Sequence, residues 1–205
     1  MEKVWILGGM RSFIGVKDRM YRNVPAEVLG AEVLRAVIEK YQLAECDIDF
    51  IIGGNAVGGG GNMTRLAALT AGLEQEIPAV SLDLQCGSAL EAVTQAAAKI
   101  ESGLAELVLA GGLESSSTQP LRMWNPNHPN YEKDKVWTVA QFIPGQQGEQ
   151  VMLEGAERTA ISEHVTKEEQ DFWVLESHHR AARTVQKGLL SDIQVSVAGS
   201  RKDEG

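Results

Sequence analysis

A cysteine between an apolar run and a helical pattern is the residue best placed to do chemistry in this sequence. The run covers residues 79–84, long enough for a buried strand, and the alanine-rich helical pattern that follows ends at Gly103. Cys86 therefore lies in a strand-to-helix turn, where unpaired backbone N–H groups and the positive end of the helix dipole favour a thiolate. Because free cysteine is often simply a small buried hydrophobe, the residues alone leave a nucleophile and a structural cysteine equally open.

Other titratable residues are weaker candidates. Cys46 lies between two acidic residues, whose charge disfavours a thiolate, so we expect it to be unreactive. Glu114 follows an apolar run and is either a general base or a cap for nearby N–H groups. The four histidines show no zinc-type spacing with a cysteine, so the sequence predicts no metal site. We expect all four to be structural or solvated: His128, His164, His178 and His179.

Glycine pairs or runs follow several of the apolar stretches. Residues 58–61 are consecutive glycines, but neither Lys-Ser nor Lys-Thr follows them, which excludes a P-loop. The pairs at residues 8–9 and 53–54 do not form a dinucleotide fingerprint either. We therefore expect tight turns and close backbone approach at these glycines, with a nucleotide-binding module as an alternative.

The composition is that of a folded, acidic chain of 205 residues. Hydrophobic residues make up 43% of it, and the formal net charge is -9 with scattered positive charges, which argues against nucleic acid as a partner. No apolar stretch reaches the roughly 18 residues of a membrane span, and no signal peptide is expected. Two cysteines are no disulfide framework at this length, so the expected location is the reducing cytoplasm.

Apolar runs alternate with helical patterns in the first part of the chain. Strands are predicted over residues 4–7, 49–52, 79–84 and 107–110, and helices over residues 26–41, 63–71 and the stretch after Cys86. This alternation indicates an α/β fold with a mostly parallel sheet flanked by helices. Sites in such sheets lie beyond the carboxyl ends of the strands, so we expect Cys86 and the glycine pairs to gather at one edge.

The pattern changes near Pro120. Residues 120–147 carry four of the six prolines and predict a long functional or interfacial loop. Helices are predicted over residues 149–163 and 166–188, and the second begins with a capping box in which Thr166 is followed three positions later by a glutamate.

The predicted domains follow from this change of pattern. Residues 1–118 form the α/β core, and residues 119–205 form an incomplete, largely helical second domain. Within the second domain we expect a helix break near Ser177 and a weak last strand over residues 193–197.

Five segments carry a resemblance to a known family. They are residues 11–15, 54–73, 85–93, 110–117 and 152–181. They resemble, in order, segments of the thiolases, and residues 85–93 are similar to that family's acyl-accepting cysteine segment. The resemblance runs over nearly the whole chain and implies the N-terminal half of a thiolase-like fold with part of a helical loop domain that covers coenzyme A.

The resemblance also implies a mechanism. Cys86 would attack an acyl-CoA thioester as the acyl-accepting nucleophile, and its backbone N–H would be a donor to the tetrahedral oxyanion. The acyl group would then pass to coenzyme A or to the enolate of acetyl-CoA. Met152 would be a substrate-binding residue in the loop domain. Coenzyme A enters as substrate, and no cofactor is implied.

Parts of the family pattern are absent from the sequence. The segments Gly-His-Pro, Cys-Gly-Gly and Asn-Glu, which supply the family's acid, base and ordered water, do not occur. Val151 stands where many members have a histidine, Phe13 replaces a proline, and residues 121–144 depart from the pattern. The resemblance therefore implies a chain that stops inside the loop domain. It would work with a second half, either in the same polypeptide of a complete enzyme or in a separate chain.

Two further expectations come from the resemblance. In the family the strand before the cysteine turn pairs with its mate in a second subunit, which implies a homo-oligomer formed through residues 79–84. A non-catalytic thiolase-like protein that binds acyl-CoA or a partner is the alternative to an acyltransferase.

Overall fold

The computed structural model describes residues 3–139, 141, 144, 148 and 150–204. The chain divides into two compact units, Met1–Pro120 with Ile193–Gly205, and Leu121–Asp192. The strands are β1 (Arg11–Ser12), β2 (Phe50–Gly54), β3 (Ala79–Leu82), β4 (Val108–Gly112) and β5 (Gln194–Val195). The α-helices are α1 (Ala26–Tyr41), α2 (Met63–Ala71), α3 (Ser88–Glu101), α4 (Val151–Ser162) and α5 (Lys167–Gln186).

A parallel sheet with the strand order β3-β2-β4 forms the centre of the first unit. Gly54 at the end of β2 is in register with Leu82 of β3 on one side and with Gly112 of β4 on the other. Apolar residues pack on both faces of this sheet, as expected for a parallel sheet between helices. The predicted α/β fold class is confirmed.

The two faces of the sheet have separate apolar clusters. On one face Ile51 packs with Ala68 of α2 and Leu109 of β4. On the other face Ile52, which is 1% exposed, packs with Ala92 and Ala96 of α3. The small alanines let α3 lie close to the strands, so the sheet sets the position of the helix that follows Cys86.

The predicted strand over residues 4–7 does not form. These residues are in no strand, and Trp5, Ile6 and Leu7 are 73%, 82% and 67% exposed. The prediction was wrong because an apolar run becomes a strand only beside a partner strand, and none of the described residues pairs with this one. The first strand is instead β1, which pairs in parallel with β5.

The last part of the chain returns to the first unit, whereas the sequence places all of residues 119–205 in the second domain. Val197 is buried against Tyr21 and Leu29. The Arg11 guanidinium makes two parallel 2.8 Å hydrogen bonds to the Asp203 carboxylate. Residues 193–204 therefore belong to the first unit and not to the second domain. These contacts join residues nearly two hundred positions apart, which local periodicity cannot reveal.

The second unit consists of α4, α5 and the proline-rich stretch before them. Residues 140, 142, 143 and 145–147 of the predicted loop, and residue 149 at the predicted start of α4, lie outside the described residues. The predicted capping box of α5 is confirmed, since Thr166 and Glu169 exchange side-chain and backbone hydrogen bonds. Helix α5 continues through Ser177 without the expected break. Within the described ranges, no helix has both the length and the apolar character needed to cross a membrane.

Candidate functional site

Cys86 lies in the turn between β3 and α3, at the carboxyl edge of the sheet. Its side chain is exposed and is in no disulfide. A buried structural cysteine, one of the two interpretations open from the residues alone, is therefore contradicted. What remains is a thiol that solvent and small reagents can reach, one residue before the N-cap of α3.

The turn that holds Cys86 is braced by the side chain of Ser88. The hydroxyl of Ser88, a residue only 5% exposed, accepts a 2.8 Å hydrogen bond from the Leu84 N–H. It donates a 2.6 Å hydrogen bond to the carbonyl oxygen of Gln85. One buried hydroxyl thus ties the helix start to the two residues before Cys86, which fixes the turn's backbone.

Gln85 adopts the left-handed backbone region, with φ 53°. Non-glycine residues enter this region at a cost, so the surrounding contacts must hold it there. The Asp83 carboxylate accepts a 2.8 Å hydrogen bond from the Gln85 N–H, and the Gly87 N–H donates to the Leu84 carbonyl at 3.0 Å. The sharp turn leaves the Cys86 side chain at the surface rather than under the helix.

Glu114 acts as a cap at the same edge of the sheet. Its carboxylate accepts hydrogen bonds from the backbone N–H groups of Ala56 and Val57, at 2.9 and 3.0 Å. The Asn55 side-chain amide donates to the same carboxylate at 3.0 Å and to the Leu113 carbonyl at 2.8 Å. Of the two interpretations open from the sequence, the cap is confirmed, and this network joins the segment after β2 to the segment after β4.

The other candidate side chains lie elsewhere. Met152 is in the first turn of α4 in the second unit and is 63% exposed. Cys46 is exposed in the first unit, and its thiol lies 3.7 Å from Asp47 Oδ1. His128 stacks on Trp124, with ring centroids 3.8 Å apart. Among the described residues, no group of three His, Cys, Asp or Glu side chains is arranged to hold a metal ion.

Sequence reasoning missed the residues that hold the turn. Ser88 lies two positions after Cys86, and a serine at the first position of a helix is too common to mark a brace. Gln85 gives no signal at all, because a left-handed conformation is normally predicted from glycine or asparagine. The patterns locate the cysteine, but the contacts that shape its turn depend on the fold.

A sequence model of a known family matches nearly the whole chain. The family is described as "Thiolase, N-terminal domain", and the match covers residues 4–204. This agrees with the resemblance found in the sequence and with the strand and helix order of the first unit.

Named relatives match over the same range. The chain is 34% identical over 203 residues to "Putative acetyl-CoA C-acetyltransferase VraB" of Staphylococcus aureus (strain MW2), covering 97% of this chain and 53% of that protein. It is 33% identical over 192 residues to the protein of the same name from Staphylococcus epidermidis, covering 93% of this chain and 50% of that protein. The chain thus spans about half the length of the curated relatives it matches.

A solved structure shares the fold. The crystal structure of the Bacillus anthracis acetyl-CoA acetyltransferase matches with a TM-score of 0.82 and 27% sequence identity. The match covers 94% of this chain and 50% of that chain. The sequence and fold comparisons therefore agree on the kind of protein, and each match covers about half of the related chain.

Proposed function

The chain belongs to the thiolase family, and on that premise we propose that it supplies the N-terminal half of an acetyl-CoA acyltransferase, with Cys86 as the residue that carries the acyl group. One observation above all supports this proposal. The cysteine stands exposed at the start of α3, in a turn that Ser88 and Asp83 hold in one conformation. An exposed thiol on a fixed backbone turn at a helix N-terminus is suited to nucleophilic attack.

The proposed reaction has two halves. The Cys86 thiolate attacks the carbonyl carbon of an acyl-CoA thioester, and the carbonyl electrons move onto oxygen. The oxyanion then collapses, the bond to the coenzyme A sulfur breaks, and the acyl group stays on Cys86 as coenzyme A leaves. In the second half-reaction the acyl group passes from Cys86 to a coenzyme A thiol or to the enolate of acetyl-CoA. The Cys86 N–H is one proposed donor to the oxyanion.

We propose that the groups for proton transfer belong to a second half of the enzyme. The family segments Gly-His-Pro and Cys-Gly-Gly do not occur in the sequence, which spans about half the length of its relatives. General acid–base catalysis contributes typically about 10² to 10⁴-fold to a rate, so the half described here is expected to acylate slowly by itself. We expect a C-terminal half, in the same polypeptide or as a separate chain, to complete the site.

Substrate contacts and assembly belong to the same proposal. Coenzyme A is expected as a substrate rather than a resident cofactor, with Met152 among the residues that contact it. The edge strand β3 is the expected pairing surface for a second copy of the chain. Both cysteines are free, which suits a reducing compartment such as the cytoplasm.

Acetylation of Cys86 is the direct test. The chain is incubated with acetyl-CoA, alone and with the C-terminal half of the S. aureus relative added, and is then digested for peptide mass spectrometry. We expect one acetyl group on the peptide that contains Cys86, formed faster when the C-terminal half is present. The label is expected to disappear in Cys86→Ala.

Cys46 provides the matched control, because it is the other exposed free cysteine. The variant Cys46→Ala should be acetylated as the unchanged chain is. If Cys86 gains no acetyl group even with the C-terminal half present, the acyltransferase proposal is wrong. Retention of acetyl-CoA without acetylation would instead favour the non-catalytic acyl-CoA-binding alternative.

A further inference from the structure

Two glycines at the carboxyl ends of neighbouring strands lie against the first turn of α3, the helix that follows Cys86. Gly54 ends β2, Gly112 ends β4, and the two are register partners. A Cβ atom built on Gly54 would lie 2.6 Å from the backbone nitrogen of Ala89 and 2.6 Å from the Cβ of Ser88. A Cβ atom built on Gly112 would lie 2.8 Å from the Cβ of Ala89. Ordinary contacts begin at 3.4 Å, so α3 rests on the sheet here only because both positions lack a side chain.

The position of this first turn is transmitted to Cys86. Ala89 follows Ser88, whose hydroxyl is hydrogen-bonded to the Leu84 N–H and the Gln85 carbonyl. Any movement of the helix start away from the sheet must either carry the Cys86 turn with it or break this buried brace. We therefore expect the start of α3 and the Cys86 turn to keep a fixed position relative to the ends of β2 and β4.

We infer that Gly54 and Gly112 are positioning residues for Cys86. By letting the start of α3 touch the strand ends, they hold the backbone around the thiol where an acyl oxyanion would be bound. This inference rests on the proposed acyl transfer to Cys86. It assigns a role in that transfer to two residues that carry no functional group.

Gly111 offers a control in the same strand. Among the described residues other than Gly111 and its two chain neighbours, no atom lies within 4 Å of a Cβ built on Gly111. Neither Gly111 nor Gly112 has a left-handed φ, so alanine strains the backbone at neither position. The variants Gly111→Ala and Gly112→Ala therefore differ by one position in sequence and by the contact with Ala89.

Two small reagents distinguish a misplaced oxyanion donor from a general disturbance of the Cys86 turn. With p-nitrophenyl acetate, the Cys86 thiolate attacks the ester carbonyl, an oxyanion forms, and p-nitrophenolate leaves as Cys86 becomes acetylated. With iodoacetamide, the thiolate displaces iodide directly and no oxyanion forms. A misplaced backbone donor slows the first reaction and leaves the second unchanged, whereas a loosened or buried turn alters both.

We expect Gly112→Ala to lower the acetylation rate constant of Cys86 by roughly 10-fold to 10²-fold relative to Gly111→Ala. Its alkylation rate constant should stay close to that of Gly111→Ala. All rates are measured in a Cys46→Ala background by mass spectrometry, with the thermal unfolding midpoint recorded to show that each variant is folded. Gly54→Ala, which meets backbone atoms rather than a methyl group, should lose at least as much.

A second substitution supplies a rescue. Ala89→Gly removes the methyl group that Gly112→Ala would meet, so the double variant Gly112→Ala, Ala89→Gly should regain most of the lost acetylation rate. The same change should not restore Gly54→Ala, because that clash is with the backbone nitrogen at position 89. A general loss of stability would not be repaired by placing a second glycine in the helix.

The outcomes separate the two proposals. If folded Gly112→Ala is acetylated as fast as Gly111→Ala, or if acetylation and alkylation fall together, the positioning role is wrong while acyl transfer to Cys86 stands. If the unchanged chain reacts with both small reagents but acetyl-CoA never acetylates Cys86, with the C-terminal half added, the proposed function is wrong. Should Gly54→Ala fail to fold, Gly112→Ala and its rescue still decide the matter.

Discussion

At the residue scale, the backbone position of Cys86 depends on Ser88, whose side chain takes no part in the proposed reaction. Ser88 is buried, and its hydroxyl fills both a donor and an acceptor position in the turn before α3. The proposed nucleophile, by contrast, is exposed, and its thiol has no hydrogen bond to any other residue that the structure describes. The reactive atom is therefore placed by its backbone, and the backbone is placed by Ser88.

Replacement of Ser88 by alanine should destabilise the protein. The two part-buried hydrogen bonds of the hydroxyl would be lost, although the Gln85 carbonyl keeps a 3.1 Å hydrogen bond from the Ser88 N–H. A hydrogen bond of this kind contributes about 0.5–1.5 kcal/mol to stability. We expect Ser88→Ala to lower the free energy of unfolding by an amount in that range, measured by urea denaturation. Ser102→Ala is the matched control, because its exposed hydroxyl donates one bond to the Lys99 carbonyl at the end of the same helix.

The control should change the free energy of unfolding by less than about 0.5 kcal/mol, as is usual for surface positions. Equal effects of Ser88→Ala and Ser102→Ala would mean that the hydroxyl of Ser88 does not brace the turn. The faster digestion of residues 83–88 by protease in Ser88→Ala is a second, local measurement of the same effect.

At the scale of elements, the sequence predicts what local patterns determine. The bounds of α1 and α2 are those predicted, since Pro25 starts one helix and Asn62 caps the other. The starts of β2, β3 and β4 are within one residue of those predicted and their ends differ by two, because strands end where pairing ends rather than where apolar residues do. Residues 4–7 were mispredicted for the same reason, since a strand needs a partner that the pattern does not contain.

The pairing of β1 with β5 is held by a carboxylate that lies beyond β5. Asp203 accepts hydrogen bonds from the Arg11 guanidinium and from the Ile14 N–H, each 2.8 Å long. The hydrogen bond from Arg11 holds the pKa of Asp203 below its ordinary value, against the opposing effect of burial. The same pair raises the pKa of Arg11. A fixed ion pair therefore ties the two ends of the described chain together.

This pair predicts a pH dependence of stability. A carboxyl whose pKa is lower in the folded state stabilises that state fully above its unfolded pKa, about 3.9, and loses this effect as the pH falls through the folded pKa. Asp203→Asn should lower the free energy of unfolding by roughly 1.5–3 kcal/mol at neutral pH. The difference between the two proteins should shrink below about pH 4.

Urea denaturation of both proteins between about pH 7 and pH 3 measures this difference. Asp18→Asn removes an exposed carboxylate from the same unit and is the control for net charge. If the difference between Asp203→Asn and the unchanged chain stays constant down to about pH 3, the ion pair does not have the stabilising role assigned to it.

At the scale of the whole molecule, the division into units was only partly visible in the sequence. The change of composition at Pro120 lies at the boundary of the second unit. The return of the chain at Ile193 was not visible, because β5 is two residues long and Asp203 looks like any other charge near a chain end. Candidate site residues are subject to the same limit. Local pattern marks Cys86 and the glycines that follow the strands, but the contact of Gly54 and Gly112 with the start of α3 is visible only in the fold.

The sheet leaves β3 as an edge strand. Among the described residues the order β3-β2-β4 gives β3 a strand partner on one side only. On the other side the Ala79 carbonyl accepts a 2.7 Å hydrogen bond from the Asn62 side chain, so pairing would use the remaining backbone groups of that edge. Val80 in this strand is 39% exposed. An open edge with an exposed apolar residue is suited to pairing with the same edge of a second copy, as proposed for residues 79–84.

Light scattering coupled to size exclusion tests that assembly. We expect a dimer for the unchanged chain and a monomer for Val80→Lys, because a lysine on an edge strand opposes edge-to-edge pairing. Val93→Lys is the matched control: Val93 is 37% exposed, but it lies on α3 rather than on the sheet edge. It should leave the dimer intact.

A monomeric unchanged chain at micromolar concentration, or a Val80→Lys chain as dimeric as the control, would show that β3 is not the pairing strand. The Cys86 turn directly follows β3, so loss of the dimer should also change the alkylation rate of Cys86, and Val93→Lys should not.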